Sequence, residues 1–203
     1  GSFMYIGPQG IVHGTTITVL NAGRKISKHG EGLGGKLFIT AGLGGMSGAQ
    51  PKAANIAGCI SITAEINPKA THTRYSQGWV DEVIDDLDKL VERVKVAREK
   101  KETVSIAFQG NVVDVWERFA EGDVPVELGS DQTSLHNPWA GGYYPVGVSF
   151  EESKRMMAEE PELFKQKVQE SLRRHVAAIN KCVARFDTYF FDYGNAFLLE
   201  SSR

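Results

Sequence analysis

The sequence lacks most of what would place it in a specialised class. Its 203 residues contain only two cysteines, Cys59 and Cys182, and neither has the spacing of a metal-ligand set. A disulfide-rich scaffold and a cysteine-based zinc site are thereby excluded. A single disulfide stays open, although nothing in the pattern asks for one, and a reducing cytosol is the default compartment. Cys59 follows Gly58 into an apolar run and reads as a small buried hydrophobe, while Cys182 falls on a helical pattern. Charge of one sign is also missing: 23 basic against 25 acidic residues leave a net charge of −2, which gives no pull towards nucleic acid or an anionic membrane. No apolar stretch approaches the length of a bilayer span, and no signal peptide is recognisable. Internal repeats and low-complexity segments are absent. His13, His29, His72 and His175 show no metal spacing and read as surface or packing residues. What is present, 41% hydrophobic and 24% charged residues, is the balance of an ordinary globule large enough for a real core.

Strand-like and helix-like segments alternate along the chain. A glycine-rich opening leads to Thr15–Leu20, which fits either a strand or the start of a helix running to Arg24. A polar loop, 26–35, precedes a strand at Leu37–Thr40 and a helix at Pro51–Ala57, with proline near its first position. A second strand follows at Ile60–Ala64. From Trp79 to Lys100 apolar residues recur at three- and four-residue steps, which predicts one long amphipathic helix. Val104–Phe108 reads as a strand, Val112–Glu121 as its helix, and Val126–Leu128 as a short strand. Ser149–Ala158, opened by a Ser-x-x-Glu cap, and Pro161–Arg185 read as helices. Tyr189–Phe191 is a last strand, followed by a short terminal helix. Such alternation predicts an α/β fold: a Rossmann-like, open, mainly parallel sheet with helices on both faces.

The chemistry concentrates at the ends of these strands. The apolar run ending at Thr40 enters Ala41-Gly-Leu-Gly-Gly-Met-Ser-Gly48, then leaves through Gln50 and Pro51 into a helix. Glycines at Gly42 and Gly44 permit a tight turn and close approach of the backbone to a pyrophosphate, with helix-start N–H groups facing the charge. Glu65 ends the next strand, 23 residues after Gly42, where a carboxylate receives adenosine ribose hydroxyls and repels a 2′-phosphate. Ser47 stands at the third position of the G-x-G-x-x-G pattern, with Gly48 beside it. Glycine-rich turns of this type also occur without a nucleotide. Two further strand ends carry polar residues, at Gln109–Asn111 and Ser130–His136, and in an open α/β sheet ligands bind beyond the carboxyl ends of such strands. Asn111, Gln132, Thr133 and Ser134 suit ribose or carboxamide groups, and His136 suits proton exchange at neutral pH. Each of them also suits an ordinary turn cap. The aromatic group Trp139, Tyr143 and Tyr144 fits a lid over a planar ring or simple core filling.

Five segments carry a resemblance: Tyr5-Ile-Gly-Pro-Gln-Gly-Ile-Val12, Thr40–Gln50, Gly129–Asn137, Gly142-Tyr-Tyr-Pro145 and Phe191-Asp-Tyr-Gly-Asn195. Together they resemble the urocanase (urocanate hydratase) family over nearly the whole chain. The resemblance implies a hydro-lyase that adds water to urocanate to give imidazolone propionate in histidine breakdown. It also implies tightly bound NAD⁺ used as an electrophile, with no net hydride transfer. Carried over by position, the cofactor contacts fall on Gly45, Met46, Ser47, Glu65, Asn111, Val112, Gln132, Thr133, Ser134, Leu135 and His136, with Tyr143, Tyr144 and Tyr193 closing the site. The arginine that some members place after the acidic residue falls near Ala70, with Lys69 or Arg74 as substitutes. Residues 1–3 read as a cleavage scar, and 4–203 as a single NAD-binding domain excised from a longer enzyme whose core domain and catalytic cysteine lie elsewhere. The domain alone is then expected to be inactive, its partners being urocanate, the remaining core of the same chain and, as in the family, a second subunit in a cytoplasmic homodimer. Two other classes fit the residues alone: a stand-alone redox-sensing dinucleotide module, and a nicotinamide-dependent dehydrogenase with His136 as proton donor.

Overall fold

A computed structural model describes residues 7–28, 31–45, 47–131, 138–192 and 197–202. Six strands, β1 (Leu37–Ala41), β2 (Ile60–Glu65), β3 (Glu82–Ile84), β4 (Val104–Gln109), β5 (Leu128–Asp131) and β6 (Tyr189–Asp192), form one sheet in the order β3-β4-β2-β1-β5-β6. Every adjacent pair is parallel. The chain moves outward from β1 through β2 to the edge strand β3, steps back to insert β4 between β3 and β2, then crosses to the other side of β1 to build β5 and β6. The order therefore reverses between β1 and β5, and that crevice is where an open α/β sheet binds its ligand.

Alternation along β1 divides the interior. Leu37, Ile39 and Ala41 point to the larger cluster, with Ile60, Ile62, Val104, Ile106, Trp116, Phe119, Val168 and Leu172. Helices α4 (Leu87–Glu99), α5 (Val112–Glu121) and α7 (Pro161–Phe186) supply its other wall. Phe38 points the opposite way, to Val19, Ala22, Ala54, Cys59 and Leu128 under α1 (Gly7–Ile26) and α2 (Gln50–Ala57). Strands buried on both faces need near-continuous apolar sequence, as β1 has. Between these layers the chain adds α3 (Pro68–Ser76), α6 (Phe150–Glu159) and α8 (Phe197–Ser201).

Three expectations change. Of the two alternatives at Thr15–Leu20 the helix is the one formed, and it starts earlier than expected: α1 begins at Gly7, and Thr15, Thr16 and Thr18 each donate a hydroxyl bond to the carbonyl four residues earlier. Packing on α2 outweighs the weak helix propensity of glycine and threonine, and the hydroxyl bonds satisfy the threonine side chains within the helix. The long helix expected from Trp79 splits into β3 and α4. Asp86 is the divider, its carboxylate accepting from Lys89 N–H at 2.9 Å as the N-cap. The β-branched pair Val83-Ile84 merely continued the helical spacing by coincidence. The strand expected at Val126–Leu128 runs instead from Leu128 to Asp131, because Gly129 leaves the room that the buried Trp116 ring fills. Ser149 does cap α6, accepting from Glu152 N–H at 3.1 Å.

Candidate functional site

The turn after β1 lies at the crevice. Gly42 adopts φ +96°, a conformation that disfavours any side chain, and its N–H bonds Ala64 O at 2.9 Å. Leu43 then dips into a small cluster with Ala70, Val80 and Ala107. Gly44 and Gly45 are exposed, and a Cβ on either would meet open space. The acceptors of this turn are tied inward. Leu43 O and Gly45 O each accept from the Arg74 guanidinium at 3.0 Å. Gly44 O accepts from Gly48 N–H at 2.8 Å and Ser47 Oγ at 3.0 Å. The donors are treated differently: among the described residues the N–H groups of Gly44 and Gly45 meet no acceptor. A turn whose carbonyls are occupied and whose exposed N–H groups are not presents positive partial charge to solvent, which suits an anion. Ser47 opens the short 3₁₀ segment Ser47–Ala49 that leads into α2, and its single hydroxyl proton is spent on Gly44 O.

Glu65 closes the turn from the side. Its Oε1 accepts from Leu43 N–H at 3.0 Å and its Oε2 from Asn67 N–H at 3.1 Å, which leaves a lone pair on each oxygen. Gln109 and Gly110 fasten the chain beyond Glu65 by donating to Glu65 O, and Gln109 also to Ile66 O. Asn111 is the N-cap of α5, accepting from Val113 N–H at 2.9 Å while its amide donates to Tyr144 O at 2.9 Å. Val112 begins α5 with its side chain buried.

The aromatic loop separates into three roles. Tyr143 does not offer its ring to the site. It is 1% exposed, and its hydroxyl lies 3.2 Å from both Ser171 Oγ and His175 Nδ1 of α7. A buried pocket beside α7, with Ser171 and His175 to meet its hydroxyl, wins over the strand end for that side chain. Tyr144 is half-buried, packs on Phe150, and has its phenol pKa raised by burial and further by the Glu65 charge. Trp139 is exposed under Lys165. Met46, Gln132, Thr133, Ser134, Leu135, His136 and Tyr193 lie outside the described residues.

One residue of this site escapes a reading of the sequence, and a second is read there only as one of two alternatives. Gln50 is buried, its amide donating to Ala41 O at 3.1 Å and its Oε1 accepting from Thr40 at 2.7 Å and Ser130 at 3.2 Å. It latches the ends of β1 and β5 together at the crevice. A glutamine followed by Pro-Lys-Ala-Ala, with only small or apolar neighbours to pack on, was the available signal. Arg74 is the other. Ala70 occupies the position given to the family arginine and packs against Leu43, while Arg74, one helical turn further on the same face of α3, reaches the turn. Lys69 contributes only its backbone N–H, to the Asn67 cap. No group of ligating side chains suited to a metal occurs among the described residues.

Fold and site define a Rossmann-like α/β domain with its polar turns gathered at the sheet's switch point. The profile of the urocanase Rossmann-like domain matches residues 7–203, so the chain belongs to the urocanase family. It is 61% identical over 204 residues to a probable urocanate hydratase of Caenorhabditis elegans and 57% over 208 residues to the urocanate hydratase of Mus musculus. Each alignment takes in 100% of this chain and 30% of the relative. A probable urocanate hydratase of Halobacterium salinarum is 36% identical over 195 residues, covering 96% of the chain and 33% of that protein. The chain thus spans about a third of the length of the relatives it matches.

Proposed function

We propose that this chain is the NAD⁺-binding domain of a urocanate hydratase. The observation that carries the cofactor reading is the glycine turn after β1, with the carbonyls of Leu43, Gly44 and Gly45 occupied, the exposed N–H groups of Gly44 and Gly45 open, and Glu65 beside it at the sheet's switch point. A pyrophosphate fits that turn because Gly44 and Gly45 leave space for it and supply donors. The free lone pairs of Glu65 suit the adenosine ribose hydroxyls, and its charge selects NAD over its 2′-phosphorylated form. In this reading Gly42 shapes the turn, and Met46, Ser47, Asn111, Val112, Gln132, Thr133, Ser134, Leu135, His136, Tyr144 and Tyr193 are the further cofactor contacts that the family resemblance implies. When bound, NAD⁺ supplies an electrophilic nicotinamide ring for a lyase that hydrates urocanate in histidine degradation. The work of this domain is to hold and orient that cofactor. The catalytic groups belong to the rest of the enzyme, so the domain alone does not turn urocanate over. The remaining partners in this reading are the enzyme's core domain and a second subunit, in the cytoplasm.

Calorimetric titration with NAD⁺ tests the cofactor reading, run on the chain and on Glu65→Ala, beside urocanate turnover by the full-length enzyme. Binding that weakens at least tenfold in Glu65→Ala, with turnover confined to the full-length enzyme, is the expected result. A full-length enzyme that leaves urocanate unchanged would overturn the assignment.

A further inference from the structure

Arg74 is the one guanidinium at the glycine turn among the described residues, and three of its five N–H donors, one from each nitrogen, are directed at the protein. Its Nε donates to Leu43 O and its Nη2 to Gly45 O, both at 3.0 Å, and its Nη1 to Gln77 Oε1 at 2.9 Å. The guanidinium also lies 4.9 Å from the centre of the Trp79 ring. Held between that indole and the turn, the planar fork has a defined orientation. A Cβ on Gly48 would come within 2.2 Å of Arg74 Nε, so Gly48 is the clearance through which Arg74 passes.

We infer that Arg74 is a positioning residue that holds the glycine turn open for an anion and does not itself pair with the phosphate. The inference rests on the dinucleotide reading of the site. Its physical basis is the geometry of the peptide unit: in a trans peptide the carbonyl and the following N–H point in opposite directions. Binding Leu43 O therefore turns the Gly44 N–H away from Arg74, towards the exposed side of the turn. The same guanidinium fixes Gly45 O two residues on, while Glu65 fixes Leu43 N–H. The turn is gripped at both edges by opposite charges, with its glycines left free of side chains between them.

Gly48→Ala is the discriminating variant. Gly48 lies outside the left-handed φ region, so alanine fits its backbone, and the atoms it displaces belong to the end of a flexible side chain. It evicts the guanidinium and leaves the charge on the molecule. Titrations with NAD⁺, ADP-ribose, ADP and adenosine are compared for the parent chain, Arg74→Met, Arg74→Lys, Gly48→Ala and the double variant Arg74→Met/Gly48→Ala. Amide NMR spectra of each are recorded without ligand, with Lys69→Met as control. Arg74→Met and Gly48→Ala each weaken the three phosphate-bearing ligands about 10- to 100-fold and spare adenosine. The double variant is no worse than Arg74→Met, Lys at 74 does not rescue, and the Gly44 and Gly45 amide signals move without ligand in every Arg74 and Gly48 variant. Rescue by lysine, or full binding in Gly48→Ala with unmoved glycine amides, would overturn the inference in favour of a direct charge. If the parent chain binds none of these ligands, the dinucleotide reading fails while the ligand-free spectra still decide the clamp.

Discussion

At the scale of single residues, burial decides which chemistry is available. Cys59 is completely buried beneath α2, and loss of solvation pushes its thiol up to about 12, with its own hydrogen bonding opposing and the Glu127 charge adding. Cys182 is raised to about 11, again by burial first. The two sit in different clusters on opposite faces of the sheet, and both are free thiols. Reaction needs a thiolate that can reach solvent. The folded chain should therefore show no fast-reacting thiol with Ellman's reagent at pH 8, and two after denaturation; one fast thiol in the folded state would contradict this burial. Glu65 is a different case, because its carboxylate serves the fold as well as the candidate site. Removing it strands Leu43 N–H and Asn67 N–H at a half-exposed position. Glu65→Ala should cost about 1–2 kcal/mol in urea denaturation without any ligand, so loss of NAD⁺ binding in that variant has to be compared at equal folded fraction. Glu65→Gln keeps an acceptor for one of the two donors and should lose about half as much.

At the scale of elements, Gly129 is the tightest point of the sheet's switch. A Cβ there would lie 2.4 Å from the Trp116 ring and 3.1 Å from Phe190, and Trp116 is wholly buried with no direction in which to retreat. Gly129→Ala should destabilise the chain by about 1–3 kcal/mol as an overpacked core substitution, read as a lower denaturation midpoint. Trp116→Phe in the same background should restore part of that loss. This crowding also explains what the sequence could and could not reveal. The β1–turn–α2 unit and Glu65 at the end of β2 are local: apolar run, glycines, proline at a helix start, carboxylate after a second apolar run. Each is a short-range preference that tertiary packing reinforces. The end of β5 is not local, since Gly-Ser-Asp has the composition of a loop and becomes strand only because Trp116 and the Gln50–Thr40–Ser130 bonds claim its first two residues. The division of 79–100 into β3 and α4 failed for a related reason, a helical spacing that two separate elements share by accident. The partners of Arg74 and Tyr143 could not be read from the sequence. Their roles depend on which neighbour lies within reach, a turn 31 residues away for Arg74 and a helix 28 to 32 residues away for Tyr143.

At the scale of the whole molecule, the side of the sheet that carries α5 and α7 is joined to the candidate site through one buried polar cluster. Tyr143 anchors it to Ser171 and His175, Ser171 accepts from Val146 N–H at 2.9 Å, and the next residue, Tyr144, offers its carbonyl to Asn111 at the start of α5. His175 is completely buried, its ring lies 4.7 Å from Phe197 of α8, and its Nε2 meets no partner among the described residues. Burial lowers its pKa from 6.5 to about 3, so the folded chain keeps the imidazole neutral where an unfolded chain would charge it. The sign follows directly: below pH 6.5 the unfolded state takes up a proton that the folded state refuses, so stability is lost as pH falls towards about 3 and is fully present above 6.5. One such proton gives a slope approaching about 1.4 kcal/mol per pH unit. Carboxylates add their own dependence nearer pH 4, so the clean window is pH 6.5 to 5, where urea denaturation of the parent should show the slope and His175→Leu should show little of it. Because that cluster holds the segment bearing Tyr144, weakened NAD⁺ binding in the parent below pH 5.5 should accompany the loss of stability, and should be smaller in His175→Leu at equal folded fraction. Equal slopes in the two proteins would mean that His175 is charged in the native core, and that the link between the α7 face and the site does not run through it.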